Sequence, residues 1–302
     1  MALTTRQIFL MGTIITLQVD CDDPQTVLDE LVRRLHIYNH RFSANDDNSE
    51  LMQIMHNAGK KPVPVNSELY DLIKLGKKYS LEIDSNFNIA IGPLVQLWRI
   101  GFSDAKVPSE TEIKQALTLT GPQNIELNDH AHSVYLTKPK MAIDLGSIAK
   151  GYITDLLVNY LKEAKVQSAL INLGGNVYAY GPSSHQDHKW RIGIQNPKLP
   201  RGNYCDVIKV ENQSVVTSGI YERELIVNGK KYHHILDKHT GHPVTSNIAS
   251  VTVVANKSTT CDLWTEILFG QPVDKIIKIL NSRRDINGIV ITQDDKMYST
   301  IK

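Results

Sequence analysis

The residues best placed to do chemistry lie in the stretch Ile143–Tyr152, which reads Ile-Asp-Leu-Gly-Ser-Ile-Ala-Lys-Gly-Tyr. An apolar strand ending in Asp144, a Gly146-Ser147 turn and a following helix would leave free backbone N–H groups at the helix start, where an anion is favoured. Lys150 adds a mobile positive charge in the first turn, and Asp144 can accept hydrogen bonds or help to hold a cation. The stretch therefore predicts a phosphate-binding turn, with a purely structural turn as the alternative.

A second candidate is the segment Tyr232–Pro243, which holds four of the eleven histidines together with Asp237. Adjacent histidines point apart on an extended chain, and no acidic ligand follows at zinc spacing, so the pattern does not favour a metal site. Imidazole titrates near neutral pH, and we expect one histidine of a polar active-site loop to do acid–base work. A solvated histidine-rich turn is the alternative.

A third candidate is the predicted helix over 258–269, which places Asp262, Thr265 and Glu266 on adjoining positions of one face. Hard oxygen donors at a helix start suit magnesium. Asp262 and Thr265 could instead be cap residues, which is a common use of both residue types.

Composition limits the class of protein. The chain has 302 residues, of which 41% are hydrophobic and 22% charged, so it can form one large or two medium domains with substantial cores. The formal net charge is +1, which excludes a broad basic surface for nucleic acid. Any phosphate recognition must therefore be local.

The cysteines and the N-terminus bear on the compartment. Cys21, Cys205 and Cys261 are too few and too scattered for a disulfide framework or a zinc site. Met1–Arg6 lacks the features of a secretory signal, and no segment has the apolar length of a membrane span. As written, the chain is expected to be cytoplasmic, and an exported lipoprotein would require that an N-terminal signal had been removed.

Hydrophobic periodicity predicts the elements that must position these residues. We expect a strand over 7–19 interrupted at Met11-Gly12, and a helix over 67–81 with Ser67 as N-cap. The other predicted helices cover 24–37, 49–55, 108–119, a run from the focal turn to about 162, and 258–269. The other predicted strands cover 125–136, 166–181, 190–195, 207–217, 222–228 and 248–254. Residues 271–302 read as helix, turn and edge strand.

Eight motifs in fixed order give the chain a recognisable signature. They are Met11-Gly-Thr, Ser49-Glu-Leu, Ile91-Gly-Pro-Leu-Val with Leu97-Trp98, the focal stretch, Asn172-Leu-Gly-Gly-Asn, Thr217-Ser-Gly, His234-Ile-Leu-Asp with Thr240-Gly241, and Asp262. In their order and spacing the chain resembles the FAD:protein FMN transferase (ApbE) family, and the match spans nearly its whole length.

The resemblance implies a fold and an activity. It implies an α+β fold of mixed β-sheets and helices around a central flavin cleft, as a single domain over 1–302, with two intertwined α/β subdomains as the alternative. It also implies magnesium-dependent transfer of FMN from FAD to a Thr or Ser hydroxyl of an acceptor flavoprotein, releasing AMP. FAD is then a substrate, the acceptor flavoprotein is the protein partner, and neither nucleic-acid binding nor a membrane span is expected. A magnesium-dependent FAD pyrophosphatase and a non-catalytic flavin-binding protein stay open as alternatives.

The resemblance also implies roles for individual residues. His234 takes the position of the catalytic base, and Lys150 with magnesium would neutralise the pyrophosphate. The flavin-contact positions are Met11, Asn86, Phe87, Asn88, Asp144, Lys150 and Ile235. The metal positions are Ser147, where a backbone carbonyl meets the ion, Asp262, Thr265 and Glu266.

The sequence departs from the family pattern at several of these places. Ser147 replaces the second glycine of a usual Gly-Gly, Asn88 replaces an aspartate, Asn45 replaces an aromatic residue, and Lys238 replaces a proline. The threonine expected four residues after the metal aspartate falls at three, as Thr265, with Glu266 at four. These departures leave the composition of the metal shell open.

Overall fold

The computed structural model describes residues 3–82 and 85–301. Within them the helices are α1 (Pro24–Phe42), α2 (Glu50–His56), α3 (Ser67–Ser80), α4 (Gly92–Trp98), α5 (Glu110–Leu117), α6 (Ala149–Glu163), α7 (Ser258–Leu268) and α8 (Val273–Ser282). The strands are β1 (Thr4–Leu10), β2 (Thr13–Asp20), β3 (Val63–Pro64), β4 (Ile125–Asn128), β5 (Ser133–Leu136), β6 (Ser168–Leu173), β7 (Asn176–Tyr180), β8 (Trp190–Gln195), β9 (Tyr204–Val210), β10 (Gln213–Gly219), β11 (Glu224–Val227), β12 (Lys230–His233), β13 (Ile248–Ala255), β14 (Ile286–Thr292) and β15 (Met297–Ser299).

An eight-stranded antiparallel sheet in the order β1-β2-β6-β7-β10-β13-β14-β15 organises the molecule. A three-stranded sheet (β3-β5-β4) and the hairpins β8–β9 and β11–β12 stand apart from it. The predicted α+β class is confirmed, since helices and mainly antiparallel strands are mixed along the chain.

The central strands of the large sheet are covered on both faces. On one face a core of buried side chains joins β2 and β6 to α1, α3 and α6, and a second core joins β10, β13 and β14 to α7 and α8. On the other face the β8–β9 hairpin packs its apolar side chains against β10, β13 and β14. Because both of its faces are covered, every residue of β13 is buried.

Two tight turns meet at one end of this sheet. Met11 and Gly12 join β1 to β2 with φ of 53° and 72°, and Gly174 and Gly175 join β6 to β7 with φ of 67° and 101°. Positive φ at both central residues is typical of a two-residue hairpin turn of type I′. Since β2 pairs with β6, the two turns lie side by side, and a Cβ at Gly174 would stand 2.3 Å from Oγ1 of Thr13.

The predicted elements agree with the structure except at a few places. The predicted strand ending in Asp144 is wrong, because Met141–Leu145 is buried but pairs with no strand among the described residues. The predicted interrupted strand is a hairpin, and the N-cap of α3 is Asn66, whose side chain accepts from the N–H of Glu68. The C-terminal edge strand is β15, with β14 inside the sheet.

Two further expectations concern the chain as a whole. The single domain over 1–302 stays a prediction. Among the described residues, buried side chains form four clusters. No helix within the described residues is long and apolar enough to cross a membrane.

The contact between the two turns predicts a strong effect of Gly174→Ala. We expect the free energy of unfolding to fall by roughly 2–4 kcal/mol, from the left-handed backbone together with the overlap with Thr13. The control is Gly229→Ala in the β11–β12 turn, where φ is 75° and no atom lies within 4 Å of the new Cβ. Urea unfolding of both variants checks this, and equal losses would contradict the packing contribution.

Candidate functional site

Asp262 lies in the second turn of α7 and contacts the start of α6. Its Oδ2 accepts a hydrogen bond of 2.6 Å from the backbone N–H of Gly151, and its Oδ1 accepts one of 2.9 Å from Nδ2 of Asn176. The first turn of a helix leaves such N–H groups unbonded, and the positive end of the helix dipole favours a carboxylate there. The prediction that these N–H groups receive a phosphate is therefore wrong at Gly151, because a side chain of the protein already bonds to it.

Gly151 allows α6 and α7 to approach closely. A Cβ at this position would stand 2.5 Å from the carbonyl oxygen of Ser258 and 2.8 Å from Oδ2 of Asp262. Any other residue would therefore push the two helices apart. A glycine near the start of a helix was the sequence signal for this contact.

Asn176, the first residue of β7, is the centre of a buried polar network beneath Asp262. While its Nδ2 donates to Asp262, its Oδ1 accepts from Oγ of Ser258 at 2.7 Å and from Oγ1 of Thr154 at 3.1 Å. Ser258 in turn accepts from Oγ of Ser214 at 2.9 Å. Since buried polar groups are costly unless they are bonded, this network fixes the carboxylate of Asp262 in one orientation.

The start of α7 is capped by a residue of another helix. Asp155 of α6 accepts hydrogen bonds from the N–H of Ser258 at 2.8 Å and from the N–H and Oγ1 of Thr259 at 3.0 and 2.6 Å. The residue at the N-cap position of α7 itself, Lys257, makes no side-chain cap. The alternative that Asp262 caps this helix is thus excluded, because it is the fifth residue of α7.

Thr265, Glu266 and Ser218 form a hydroxyl and carboxylate group next to Asp262. Oγ of Ser218, on β10, lies 3.0 Å from Oγ1 of Thr265 and 3.2 Å from Oε1 of Glu266. Oγ1 of Thr265 donates to the backbone carbonyl of Asp262 at 2.8 Å. Asp262 and Glu266 are four residues apart, so their carboxylates share one face of α7.

Burial changes the acidity of both carboxylates. It raises the pKa of Asp262 to about 6, against the opposing effects of Lys150 and of the hydrogen bonds from Gly151 and Asn176. Burial raises the pKa of Glu266 to about 7, and the neighbouring charge of Asp262 adds to the shift. Neither carboxylate forms an ion pair with a described residue, so a cation between them would be stabilised.

The donor set fits magnesium, although it is not a complete cage. No three His, Cys, Asp or Glu side chains are grouped for metal binding anywhere in residues 3–82 and 85–301. Two carboxylates and a hydroxyl suit an ion that commonly keeps waters or substrate phosphates as its other ligands. Asp262, Glu266 and Thr265 are the residues that would hold it, while the predicted role of the Ser147 carbonyl stays a prediction.

The focal turn brings Asp144 and Lys150 towards this group. Oδ1 of Asp144 accepts a hydrogen bond from the N–H of Gly146 at 2.7 Å. The backbone N–H of Asp144 donates to the carbonyl of Ile89 at 2.8 Å. Burial raises the pKa of Asp144. Lys150 lies in the first turn of α6, and its charge lowers the pKa of Asp262 and of Glu266, yet it makes no ion pair within the described part of the chain. Its ammonium group is therefore available to a ligand.

The two adjacent histidines have different surroundings. Nε2 of His233 donates to the carbonyl of Val244 at 2.9 Å, its Nδ1 accepts from the N–H of Ile235, and its ring packs against Phe269. Nδ1 of His234 donates to the carbonyl of Arg223 at 3.3 Å, while its Nε2 has no hydrogen bond with a described residue. A carbonyl can only accept, so Nδ1 of His234 carries the proton and Nε2 presents a lone pair.

His234 is also kept neutral. Burial lowers its pKa to about 4, and the positive charges of Arg223 and Lys150 act in the same direction. An imidazole with a pKa of about 4 is neutral above that pH, so the lone pair of its Nε2 is available to accept a proton. His233 has both ring nitrogens bonded to the backbone and holds the loop in place.

The other predicted flavin contacts have structural partners in the fold. Asn86 donates from Nδ2 to the carbonyl of Leu236 and accepts from the N–H of Lys238, at 2.8 and 2.9 Å, and so joins its loop to the histidine segment. Asn88 caps the turn Ile89–Ile91 through the N–H of Ala90 and donates to the carbonyl of Thr120. The flavin contacts of Asn86 and Asn88 stay predictions.

Phe87, Ile235 and Met11 are apolar members of the predicted set. Phe87 and Ile235 are buried in two different cores, and Met11 packs against the core of α1 and α6 from its position in the left-handed turn. A methionine at positive φ is strained, and such strain is often found at functional sites. The flavin contacts of these three residues also stay predictions.

Sequence reasoning missed several members of the site. Asn176 and Ser218 belong to two of the eight motifs but had no predicted role, and Asp155 and Arg223 belong to none of the motifs. A polar residue directly after the Gly174-Gly175 turn was the available signal for Asn176. The contacts of the other three are tertiary, so local spacing carried no signal for them.

The comparison of the sequence with family models and known proteins gives a consistent result. The model of the ApbE family matches residues 11–290. The FAD:protein FMN transferase of Klebsiella pneumoniae is 41% identical over 285 residues, which cover 94% of this chain and 88% of that protein. The protein of the same name from Treponema pallidum is 32% identical over 98% of this chain and 86% of its own length.

A solved structure of an ApbE protein is similar to this chain in fold. The crystal structure of the ApbE protein of Thermotoga maritima superposes with a TM-score of 0.89 at 28% identity, over 99% of this chain and 97% of that one. The similarity therefore includes the sheet, the helices and the turns that carry the site.

The cap that Asp155 provides predicts a loss of stability on its removal. In Asp155→Ala two buried N–H groups of α7 lose their acceptor, and we expect the free energy of unfolding to fall by about 1–3 kcal/mol. Asp155→Asn keeps an acceptor oxygen and should lose less. The control is Asp274→Ala in the exposed first turn of α8, and urea unfolding measures all three. A loss no larger than that of the control would exclude the cap.

Proposed function

The chain belongs to the ApbE family, and from this we propose that it is an enzyme that transfers FMN from FAD to a threonine or serine hydroxyl of an acceptor flavoprotein, releasing AMP. The observation that carries the proposal is the convergence of two kinds of group at one end of the sheet. One is the carboxylate pair of Asp262 and Glu266 with Lys150, and the other is His234, whose Nε2 is free among the described residues. Simple flavin storage needs neither a hard-cation site nor a base.

The reaction makes two demands on such a site. The acceptor oxygen forms a bond to the phosphorus of the FMN phosphate, the bond from that phosphorus to the bridging oxygen breaks, and its electron pair leaves with AMP. The hydroxyl must lose its proton, and the charge on the phosphates must be compensated. A magnesium ion held by Asp262, Glu266 and Thr265 would supply part of this compensation.

The residues of the chain supply the rest. Lys150 is placed at the helix start with its ammonium group free of ion pairs within 3–82 and 85–301, so it can contact a phosphate oxygen. Nε2 of His234 accepts the proton of the acceptor hydroxyl, while the carbonyl of Arg223 holds Nδ1–H and orients the ring. Asp144 lies beside the same turn and remains a proposed FAD contact.

The experiment that tests the proposal is incubation with FAD, magnesium and a candidate acceptor flavoprotein. Mass spectrometry of the acceptor should show a mass increase corresponding to FMN on a Thr or Ser, together with one AMP for each FMN transferred. Free FMN at the same rate with and without acceptor would instead indicate a pyrophosphatase. FAD binding with neither product would leave a flavin-binding protein.

The carboxylate pair predicts that Asp262→Ala abolishes the dependence on magnesium. In the wild type, free magnesium at 100 times its Kd should stabilise the fold by about 2.7 kcal/mol, and the variant should lose this shift together with transfer. Thermal unfolding with and without magnesium, and transfer in excess chelator, are the measurements. Glu163→Ala, an exposed carboxylate at the end of α6, is the control. A magnesium shift that persists in Asp262→Ala would place the ion elsewhere.

Substitution of the two adjacent histidines should have different effects, one on the rate of transfer and the other on stability. His234→Ala should slow single-turnover transfer by about 10²–10⁴-fold with FAD affinity nearly intact, because only the base is lost. His233→Ala should lower stability through Val244 and Phe269 while transfer by the folded protein changes little. A large loss of FAD affinity in His234→Ala would make His234 a binding residue, and a larger rate loss in His233→Ala would exchange their roles.

The lowered pKa of His234 predicts how its contributions to transfer and to stability change with pH. The folded pKa of His234, about 4, lies below the ordinary value of about 6.5, so this base stays neutral to well below pH 6 and its protonation should not limit transfer there. Unfolding takes up a proton in this interval, so His234 reduces stability as the pH falls from about 6.5 towards 4. NMR titration of the His234 ring checks this, and a midpoint near 6.5 would refute the shift.

A further inference from the structure

Arg223 ends the loop Ile220–Arg223, which leaves β10 at the same end of the sheet as the Met11–Gly12 turn. Its Cδ lies 2.8 Å from the position that a Cβ would take at Gly101, and its Nη2 lies 4.0 Å from the corresponding position at Gly12. The side chain therefore extends along Gly101 and ends beside the Met11–Gly12 turn. Because Gly12 and Gly101 have no side chains, there is room beside them for the side chain of Arg223.

The charge of Arg223 acts on two residues of the site. After the effect of burial, it is one of the causes that lower the pKa of His234, and it opposes the rise that burial produces in the pKa of Asp144. The guanidinium thus lies within electrostatic reach of both the proposed base and the focal turn.

The Arg223 guanidinium has no ion-pair partner among the described residues. It is exposed, and it makes no ion pair or hydrogen bond with any residue in 3–82 or 85–301. Arg201, which is also exposed, pairs with Glu222, and the half-buried Arg99 pairs with Asp104. An unpaired guanidinium directed into a site that handles phosphates is suited to bind phosphate oxygens in a fork.

We propose that Arg223 binds the flavin-side phosphate of FAD and stabilises the charge on its oxygens while the phosphorus passes to the acceptor hydroxyl. The inference rests on the proposed function and deepens it. Arg223 would compensate the negative charge of the flavin-side phosphate, and Lys150 with the carboxylate-bound cation would compensate that of the other phosphate. As the bond to the bridging oxygen breaks, the non-bridging oxygens of the transferred phosphate remain in contact with the guanidinium. Nδ1 of His234 lies 3.3 Å from the backbone carbonyl oxygen of Arg223, so the proposed base lies close to the proposed phosphate contact.

The test uses Arg223→Gln, Arg223→Lys and the control Arg284→Gln, which alters an exposed arginine between α8 and β14. The equilibrium probes are FMN, which carries one phosphate, and riboflavin, which carries none. In Arg223→Gln we expect the Kd of FMN to rise about tenfold or more with that of riboflavin nearly unchanged, and single-turnover transfer from FAD to slow by about 10²–10³-fold. Arg223→Lys keeps the charge and the stem but not the fork, and should lie between.

Each outcome decides the point. A transfer rate and an FMN affinity of Arg223→Gln within about threefold of the wild type would overturn the proposal. An equal loss of FMN and riboflavin affinity would overturn it too, because the side chain would then act only through packing on Gly101. If the wild type modifies no acceptor, the proposed function fails, yet the comparison of FMN with riboflavin still decides whether Arg223 recognises the phosphate.

Discussion

The hydrogen bond from the N–H of Gly151 to the carboxylate of Asp262 is the contact on which the rest of the site depends. It brings the positive end of α6 against the second turn of α7, and it is possible only because residue 151 has no side chain. A reciprocal contact runs from α6 to the start of α7, where Asp155 caps the helix. The two helices thus hold each other in register, and Lys150, Asp262 and Glu266 take their places as a consequence.

Much of the fold could be predicted from hydrophobic periodicity, and the failures have physical causes. Helices such as α1 and α6 repeat their apolar residues at helical spacing, and most predicted segments overlap an observed helix or strand. Met141–Leu145 misled the prediction because a run of apolar residues records burial and not strand pairing. The β1–β2 turn was read as an interruption, since methionine is an uncommon residue at positive φ. Order of the strands in the sheet was not accessible from local patterns at all.

The candidate site could be predicted in its residue types but not in its contacts. Family-like motifs pointed to Asp144, Lys150, His234 and Asp262, and the fold brings their segments to one region. The motifs could not say that the helix start of α6 is filled by Asp262. Nor could they reveal Arg223, because its place beside Gly12 and Gly101 depends on three loops distant in sequence. Contacts of this kind follow from the assembled sheet, which no short motif encodes.

The adjacency of the Met11–Gly12 and Gly174–Gly175 turns has a consequence for synthesis of the chain. β1 and β2 are made before β6, β2 finds its partner β6 only after a long intervening stretch, and α7 is made later still. Loop closure over such distances is slow, and a nascent chain carries the first hairpin long before Asp262 exists. A chain that ends before α7 would therefore lack the carboxylates of Asp262 and Glu266. The site is therefore assembled late in folding, after β2 has paired with β6 and α7 has packed against α6.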